Sequence, residues 1–581
     1  MRLSPLLALT LVIRVFASIM AVVVLPLSGA LAQNDPIQSG IIVRSERNKL
    51  TTDSGDSAAQ QRSIIVLKDP SVAEVMDAQR ATTKEATGKL SAQALRTAKS
   101  HKALLKRAQA TAGQKLAQQK IHLLRSFSIT MNALVVDKDI SLTEAQRILP
   151  GQVVSIAHDK QVKAFLGESV PLTNAPDVWK LSSQAGVSIT GKGIRIGIID
   201  TGIDYTHADL GGCTRTSNIN TSGCAKVVGG YDFVNQDNDP FDDHGHGTHC
   251  AATAAGKGTL SGVAPDAVLY AYKVLSQAGS GWGSDIIAAV ERSADPNGDG
   301  DMSDHLDVIS LSLGSSFGDP NDSLSLSLDR ATSLGVVAVV AAGNEGPEPT
   351  TIGSPGTSRH AITVGAFSKD KRLADFSSRG PVQYSDGDKK YTLSKPDVVA
   401  PGVNICAALS AENTIPTSGR LCTDNNHFAL SGTSMATPHV AGVAALLRQA
   451  HPLWTPEEIK SAIKSSASQS LLYSDDTVAD AGSGAVDALA AYNAPQGIVA
   501  LEDMQIGPTS RDVTLRVPVG WSYEVSTTPH KALKLLNEAT WTTLSSGVAT
   551  AHTFITTIST AALNQGEHTL RLKATSPSGA V

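Results

Sequence analysis

The sequence predicts an α/β protein built on a doubly wound, mostly parallel sheet, with a small α+β region before it and a small β-sandwich-like module after it. Three observations predict this. Between residues 167 and 493, short apolar runs alternate with stretches of helical length, and the runs are continuous, as in strands buried on both faces. Residues 63–166 mix a few strand-like runs with a long Ala-, Lys- and Gln-rich stretch that holds few breakers. From 497 to 581 the helical stretches stop, and strand-like runs alternate with turns.

The elements follow in order. Arg2 precedes an apolar run from Leu6 to Leu27 that is interrupted by Arg14, and Ala30-Leu31-Ala32 supplies small residues. That is the layout of an export signal over 1–32, cleaved after Ala32. Arg14 leaves the run short for a permanent anchor, so no stable membrane span is expected after cleavage. Residues 33–62 are polar and read as a flexible leader. Arg62–Leu67, Phe127–Val136 and Val153–Ile156 read as strands, and Ser71–Lys120 as helix. In the central region the strand-like runs are Gly193–Ile199, Val268–Val274, Val308–Ser312, Val336–Val340 and Ala361–Val364. Helices are expected over Asp285–Ser293, Leu324–Leu334, Ser434–Gln449 and Pro456–Ser465. In the last region Thr509–Val517, Ser522–Thr527, Thr550–Ile558 and Glu567–Ala574 read as strands.

Charge divides the chain. Its 581 residues carry a net charge of −5, which argues against a dedicated nucleic-acid binder. Ser63–Phe165 holds 16 basic and 8 acidic residues, while the chain from Leu166 onward sums to −15. Opposite signs favour association of the two parts.

Five cysteines are present. Cys213 and Cys224 flank one polar loop, and Cys406 and Cys422 flank another; each pair reads as a staple, with connectivity left open by spacing. Cys250 is left over and reads as a buried free thiol.

Four short islands carry the chemistry. They are Asp200 in Ile198-Ile199-Asp200-Thr201-Gly202, His246 in His246-Gly247-Thr248-His249, Asn344 in Ala342-Gly343-Asn344, and Ser434 in Gly432-Thr433-Ser434-Met435-Ala436-Thr437-Pro438. An acid, a base, an amide donor and a hydroxyl are the parts of acyl transfer. A zinc reading of His246 and His249 lacks a third ligand and the glutamate of a metalloprotease helix. Cys250 as nucleophile is displaced by the complete serine set.

These islands, in the order Asp, His, Ser, resemble the subtilisin family of secreted serine endopeptidases made as preproproteins. The resemblance implies that Ser434 is the nucleophile, His246 the base, Asp200 its orienting partner and Asn344 an oxyanion donor. It implies that 63–166 is an inhibitory propeptide, 167–493 a subtilisin-like catalytic domain, and that the junction lies near Leu166-Gly167. It implies that Gly279, Ser280 and Gly281 on one side, and Ser312, Leu313 and Gly314 on the other, hold an extended protein substrate. Ala341, Ala342 and Gly343, with Gly353 nearby, would wall a roomy apolar pocket. A secreted monomer is expected. The other readings are a catalytically silent member used for binding or adhesion, for which a missing site group would speak, and an acid-type relative with Glu and Asp at the base and oxyanion positions.

Calcium is the expected cofactor. Asp295, Asn297, Asp299, Asp301 and Asp304 place oxygen ligands at near-alternating positions around glycine, as in the first half of a calcium loop, although Leu306 stands where a full loop has its closing acid. Asp209 matches a second calcium ligand of the family, but the loop that would supply its partners is shorter here.

Overall fold

The computed structural model describes residues 8–15, 62–83, 92–158, 161–164, 169–183, 186–506, 510–529, 540–551, 553–559 and 566–575, except 217, 222, 317, 419, 423 and 470–475. Most of the 1–32 signal, the whole leader except Arg62, and the Leu166-Gly167 junction lie outside these residues.

At the centre is a seven-stranded sheet in the order Val398–Pro401, Ile362–Phe367, Val337–Ala341, Val308–Leu311, Arg195–Asp200, Val268–Lys273, Val227–Asp232. All its pairings are parallel. The five expected strands are present with ends shifted by at most three residues; the two outermost strands were not anticipated. Side chains alternate between two cores. Ile196, Ile198, Val308, Val337 and Val339 face the helices His246–Ala255 and Thr433–Ala450. Ile199, Ile309, Leu311, Ala338 and Val340 face Gly283–Ala294 and Ser323–Ser333. A sheet covered on both sides needs strands that are apolar on both sides, which is why the runs are continuous.

Arg195–Asp200 comes first in the sequence but lies in mid-sheet, beside Val308–Leu311. Strand order reverses there. In such sheets the crevice at the carboxyl ends of the strands is where ligands bind, and both Asp200 and Ser312 lie at that end.

The N-terminal region is a four-stranded antiparallel sheet ordered Leu123–Phe127, Ala133–Val136, Ser63–Leu67, Val153–His158. The expected single strand Phe127–Val136 is therefore two strands, with Ser128–Asn132 between them. That turn folds onto the central domain, which ends the pairing. One face of this small sheet, through Ile65, Leu134 and Val136, packs on the helix Ala92–Ala117. The other, through Ile64, Phe127, Ala133 and Val135, joins the core formed by Gly283–Ala294 and Ser323–Ser333.

The C-terminal region forms two sheets. One is shared: the hairpin Val382–Asp386 and Lys389–Leu393, which belongs to the central region, continues through Ala500–Ile506 into Ser510–Arg516 and Thr553–Ser559. The second pairs Thr542–Val548, Ser522–Pro529 and Gly566–Thr575, with Ala8–Val15 antiparallel to the last. The four expected strands are present, and Ala500–Ile506 and Thr542–Val548 add to them. Among the described residues, no helix is long and apolar enough to cross a membrane.

Candidate active site

Asp200 ends its strand fully buried, and its Oδ1 accepts from Nδ1 of His246 at 2.7 Å. A carboxylate can only accept, so Nδ1 carries the proton and Nε2 is the accepting nitrogen of the ring. Burial lowers the basicity of this imidazole, but the Asp200 carboxylate, by charge and by hydrogen bond, holds its pKa well above the ordinary histidine value.

His246 opens the helix His246–Ala255. The turn before it is set by Asp242, a buried residue that sequence reading passed over. Asp242 Oδ1 accepts from the backbone N–H of His244 and Gly245 and from the Thr201 hydroxyl; its Oδ2 accepts from the N–H and hydroxyl of Thr248. Thr201 Oγ1 in turn accepts from Gly247 N–H at 2.8 Å. Gly247 is needed there, since a Cβ would lie 2.2 Å from the Gly202 carbonyl. The paired acids before the three histidines were the available signal.

The other two histidines stay out of the chemistry. His249 is buried, its pKa is pushed down to about 3 by desolvation, and its Nε2 donates to the Ile405 carbonyl at 2.8 Å. His244 is half-buried, and its ring lies beside Gly279.

Ser434 lies in the first turn of Thr433–Ala450, a helix buried from Thr433 through Leu447. Pro438 sits four residues on and has no N–H to return to the Ser434 carbonyl. That carbonyl accepts instead from Ser312 Oγ at 2.5 Å and from Cys250 Sγ at 3.5 Å. The Ser434 hydroxyl donates to the Ser312 carbonyl at 2.8 Å. Asn344 is oriented by Thr433: its Oδ1 accepts from Thr433 N–H at 2.9 Å and from the Thr433 hydroxyl at 3.0 Å, which leaves Nδ2 as its donor. Cys250 is a buried free thiol 3.8 Å from His246 Nδ1. Desolvation pushes its pKa up, so it stays protonated. Among the described residues, Asp200, His246 and Cys250 are the one group of potential metal ligands whose ligand atoms converge.

The two edge segments lie across from each other with a segment of the chain itself between them. Gln161–Ala164 runs antiparallel to Ser280–Trp282, with Lys163 opposite Ser280 and Val162 opposite Gly281. Its other edge pairs with Leu313–Gly314, Ala164 opposite Leu313. Gly281 admits no side chain, since a Cβ would sit 2.0 Å from the Val274 carbonyl. Gly279 turns the chain into this edge, its N–H donating to the Ser276 carbonyl at 2.8 Å. Ala341 and Ala342 are buried at the end of their strand, and Gly353 N–H donates to the Ala342 carbonyl at 3.1 Å. Gly343 N–H reaches Thr433 Oγ1 at 3.3 Å.

The acidic loop is only partly gathered. Asn297, Asp299 and Asp301 each accept from the backbone N–H two residues on, at 2.7–2.9 Å, and Asn297 Nδ2 donates to Asp304 Oδ2 at 2.8 Å. Lys102 of the N-terminal helix makes an ion pair with Asp295. Asp295 Oδ1 and Asp304 Oδ1 are buried without a hydrogen bond. Burial, then the charges of Asp295 and Asp299, raise the pKa of Asp304. The donors are all oxygen, the type a hard divalent cation takes, but their ligand atoms do not converge and the Lys102 ammonium stands at Asp295. Asp209 does not fit one. Its oxygens accept from Thr259 N–H at 2.7 Å, Leu260 N–H at 3.2 Å and His427 Nε2 at 2.8 Å, so an imidazole stands where an ion would be needed.

Both staples form as paired in the sequence, Cys213 with Cys224 and Cys406 with Cys422.

The model of the subtilase family matches residues 191–492. Serine protease AprX of Bacillus subtilis (strain 168) is 36% identical over 396 residues, covering 65% of this chain and 83% of that protein. The minor extracellular protease Vpr of the same strain is 29% identical over 596 residues, covering 75% and 67%. Subtilisin E, also of that strain, is 37% identical over 284 residues, covering 48% and 61%. With more than half of its length matched by the family model, the chain belongs to the subtilase family and is a subtilisin-like serine endopeptidase.

Proposed function

We propose that Ser434 attacks the scissile peptide carbonyl as His246 takes its proton through Nε2, with Asp200 holding the imidazolium that forms. The Ser434 hydroxyl leaves the Ser312 carbonyl by rotating about its side-chain torsion as substrate enters. The oxyanion is met by Asn344 Nδ2 and the Ser434 backbone N–H. His246 then protonates the leaving amine, and a water repeats the sequence to release the acid. Substrate proteins lie extended between Gly279-Ser280-Gly281 and Ser312-Leu313-Gly314, read mostly through backbone bonds. The residue before the cut enters a pocket walled by Ala341, Ala342, Gly343 and Gly353, which favours an apolar side chain. The reading of a silent binding protein has no missing group to support it.

Residues 63–166 act as the inhibitory propeptide of a secreted precursor, following a signal at 1–32. One observation carries this: Gln161–Ala164 already occupies the cleft as a third strand. Residues 167–493 then form the mature monomeric enzyme, and 497–581 a β-rich module sharing a sheet with it. Asp295, Asn297, Asp299, Asp301 and Asp304 hold a structural calcium ion, which supplies the charge that brings the loop's carboxylates together.

Labelling with a fluorophosphonate probe tests the assignment. The chain is expected to label and Ser434→Ala to stay blank; equal labelling of the two overturns it. Sequencing of the processed N-terminus tests the junction, which a start well outside 160–180 would remove.

A further inference from the structure

We propose that the enzyme carries a guanidinium-binding exosite at the upstream end of its cleft, built on Asp285, the Phe233 carbonyl and the faces of Phe233 and Trp282, which engages an arginine of the protein substrate well before the cut. The proposal rests on the reading of residues 33–166 as a leader and propeptide removed together, because Arg62 and Arg125 fill this site in the precursor.

The occupant defines the site. Arg125 Nε donates to Asp285 Oδ1 at 2.7 Å, and its Nη2 lies 2.6 Å from the same oxygen. Nη2 also donates to the Phe233 carbonyl at 2.7 Å. The guanidinium carbon lies 5.4 Å from the Phe233 ring centre. A second arginine, Arg62, places its guanidinium carbon 4.4 Å from the ring centre of Trp282. The two arginines border one cavity of about 260 Å³, whose remaining wall includes Ser280, Gly281 and Trp282. A carboxylate, a backbone carbonyl and two aromatic faces are the groups that recognise a planar, multiply donating cation.

Everything on the receiving side belongs to the central domain and outlasts propeptide removal. Asp285 lies in the first turn of Gly283–Ala294, where the helix dipole favours a negative charge. Phe233 follows directly on the edge strand Val227–Asp232 and is held by ring contacts with Tyr231 and Tyr272. Asp285 is 4% exposed in the precursor, and removal of residues 63–166 takes the Arg125 guanidinium off its carboxylate.

The position follows from register. Trp282 pairs with Gln161, and Ala164 pairs with Leu313 next to Ser312, which bonds Ser434. A bound chain therefore runs from Trp282 toward Ser434, and residues upstream of the paired segment leave the cleft at Trp282, beside the cavity. An arginine there gains a charge-assisted bond and a ring face; a lysine can make the ion pair but not the fork.

The test uses the processed enzyme and quenched peptides of one core sequence, with a single Arg, Lys or Ala stepped through successive positions upstream of the segment held by Ser280–Trp282. At one narrow window Arg is expected to raise kcat/KM roughly tenfold over Ala, with Lys between, which is the size of one charge-assisted interaction. The Arg-to-Ala ratio is expected to fall toward one in Asp285→Asn and to shrink with added salt. A ratio near one at every position, or one that survives in Asp285→Asn, overturns the exosite. The Ala core peptide separates the two readings: if the wild-type enzyme fails to cleave it, or Ser434→Ala cleaves it, the protease assignment fails instead.

Discussion

Glu291 gives the sharpest test of how residues 63–158 are held. Its carboxylate accepts from the backbone N–H groups of Ser128, Ile129 and Thr130 at 3.0, 2.9 and 3.1 Å. Those amides form the turn that splits the expected strand Phe127–Val136. Burial is the largest influence and outweighs these bonds, pushing the Glu291 pKa up to about 7 from 4.5. Undocking lets water reach the group and returns it toward the ordinary value. The docked state therefore binds the proton more tightly than the open one. Its stabilisation by this group is fully present below about pH 4.5 and is lost as pH rises through about 7. Taken over the whole gap, the difference is at most about 3 kcal/mol. The assay is amide hydrogen exchange at Ser128, Ile129 and Thr130 in the full-length Ser434→Ala chain, corrected for intrinsic rates, from pH 5 to 8. The opening free energy is expected to fall across that range. Adding Glu291→Gln keeps an acceptor oxygen without a titrating charge and is expected to flatten the profile. A slope that survives in the Gln variant, or protection that grows with pH, refutes the reasoning.

Asn344→Ala is expected to lower turnover about 10²–10³-fold with little change in KM, the loss seen in subtilisin when one oxyanion-hole donor is removed; steady-state kinetics on a peptide ester check it. A small mercurial is expected to inhibit slowly, because Cys250 Sγ lies 3.8 Å from His246 Nδ1 inside the core; Cys250→Ala is expected to be active and insensitive. Calcium is expected to raise the melting temperature of the precursor less than that of Lys102→Ala, since the Lys102 ammonium competes at Asp295; thermal scans with calcium and chelator read this, and Asp299→Ala is expected to remove most of the response.

The central strands were legible because each is a local run of apolar residues whose burial on both faces leaves its own mark. The edge strand Val227–Asp232 was not, since Gly229 and Gly230 break the run. Val398–Pro401 was hidden by its brevity and its closing proline. The hairpin at 382–393 is largely polar, and only its pairing with Ala500–Ile506 makes it part of a sheet.

The sequence by itself determined which hydroxyl, imidazole, carboxylate and amide are available and in what order, and left the pairing of the cysteines open. These features are written in short contiguous motifs, where neighbours along the chain set backbone and side chain together. Only the tertiary structure decided which partners those groups meet. Ser312 takes the Ser434 carbonyl that Pro438 leaves open, across 122 residues. Asp285 meets Arg125 across 160 residues, and Glu291 meets the turn at 128–130 across more than 160. Such contacts join segments with no periodicity or spacing in common, so their residues look like ordinary surface charges until the chain closes on itself and removes the water between them.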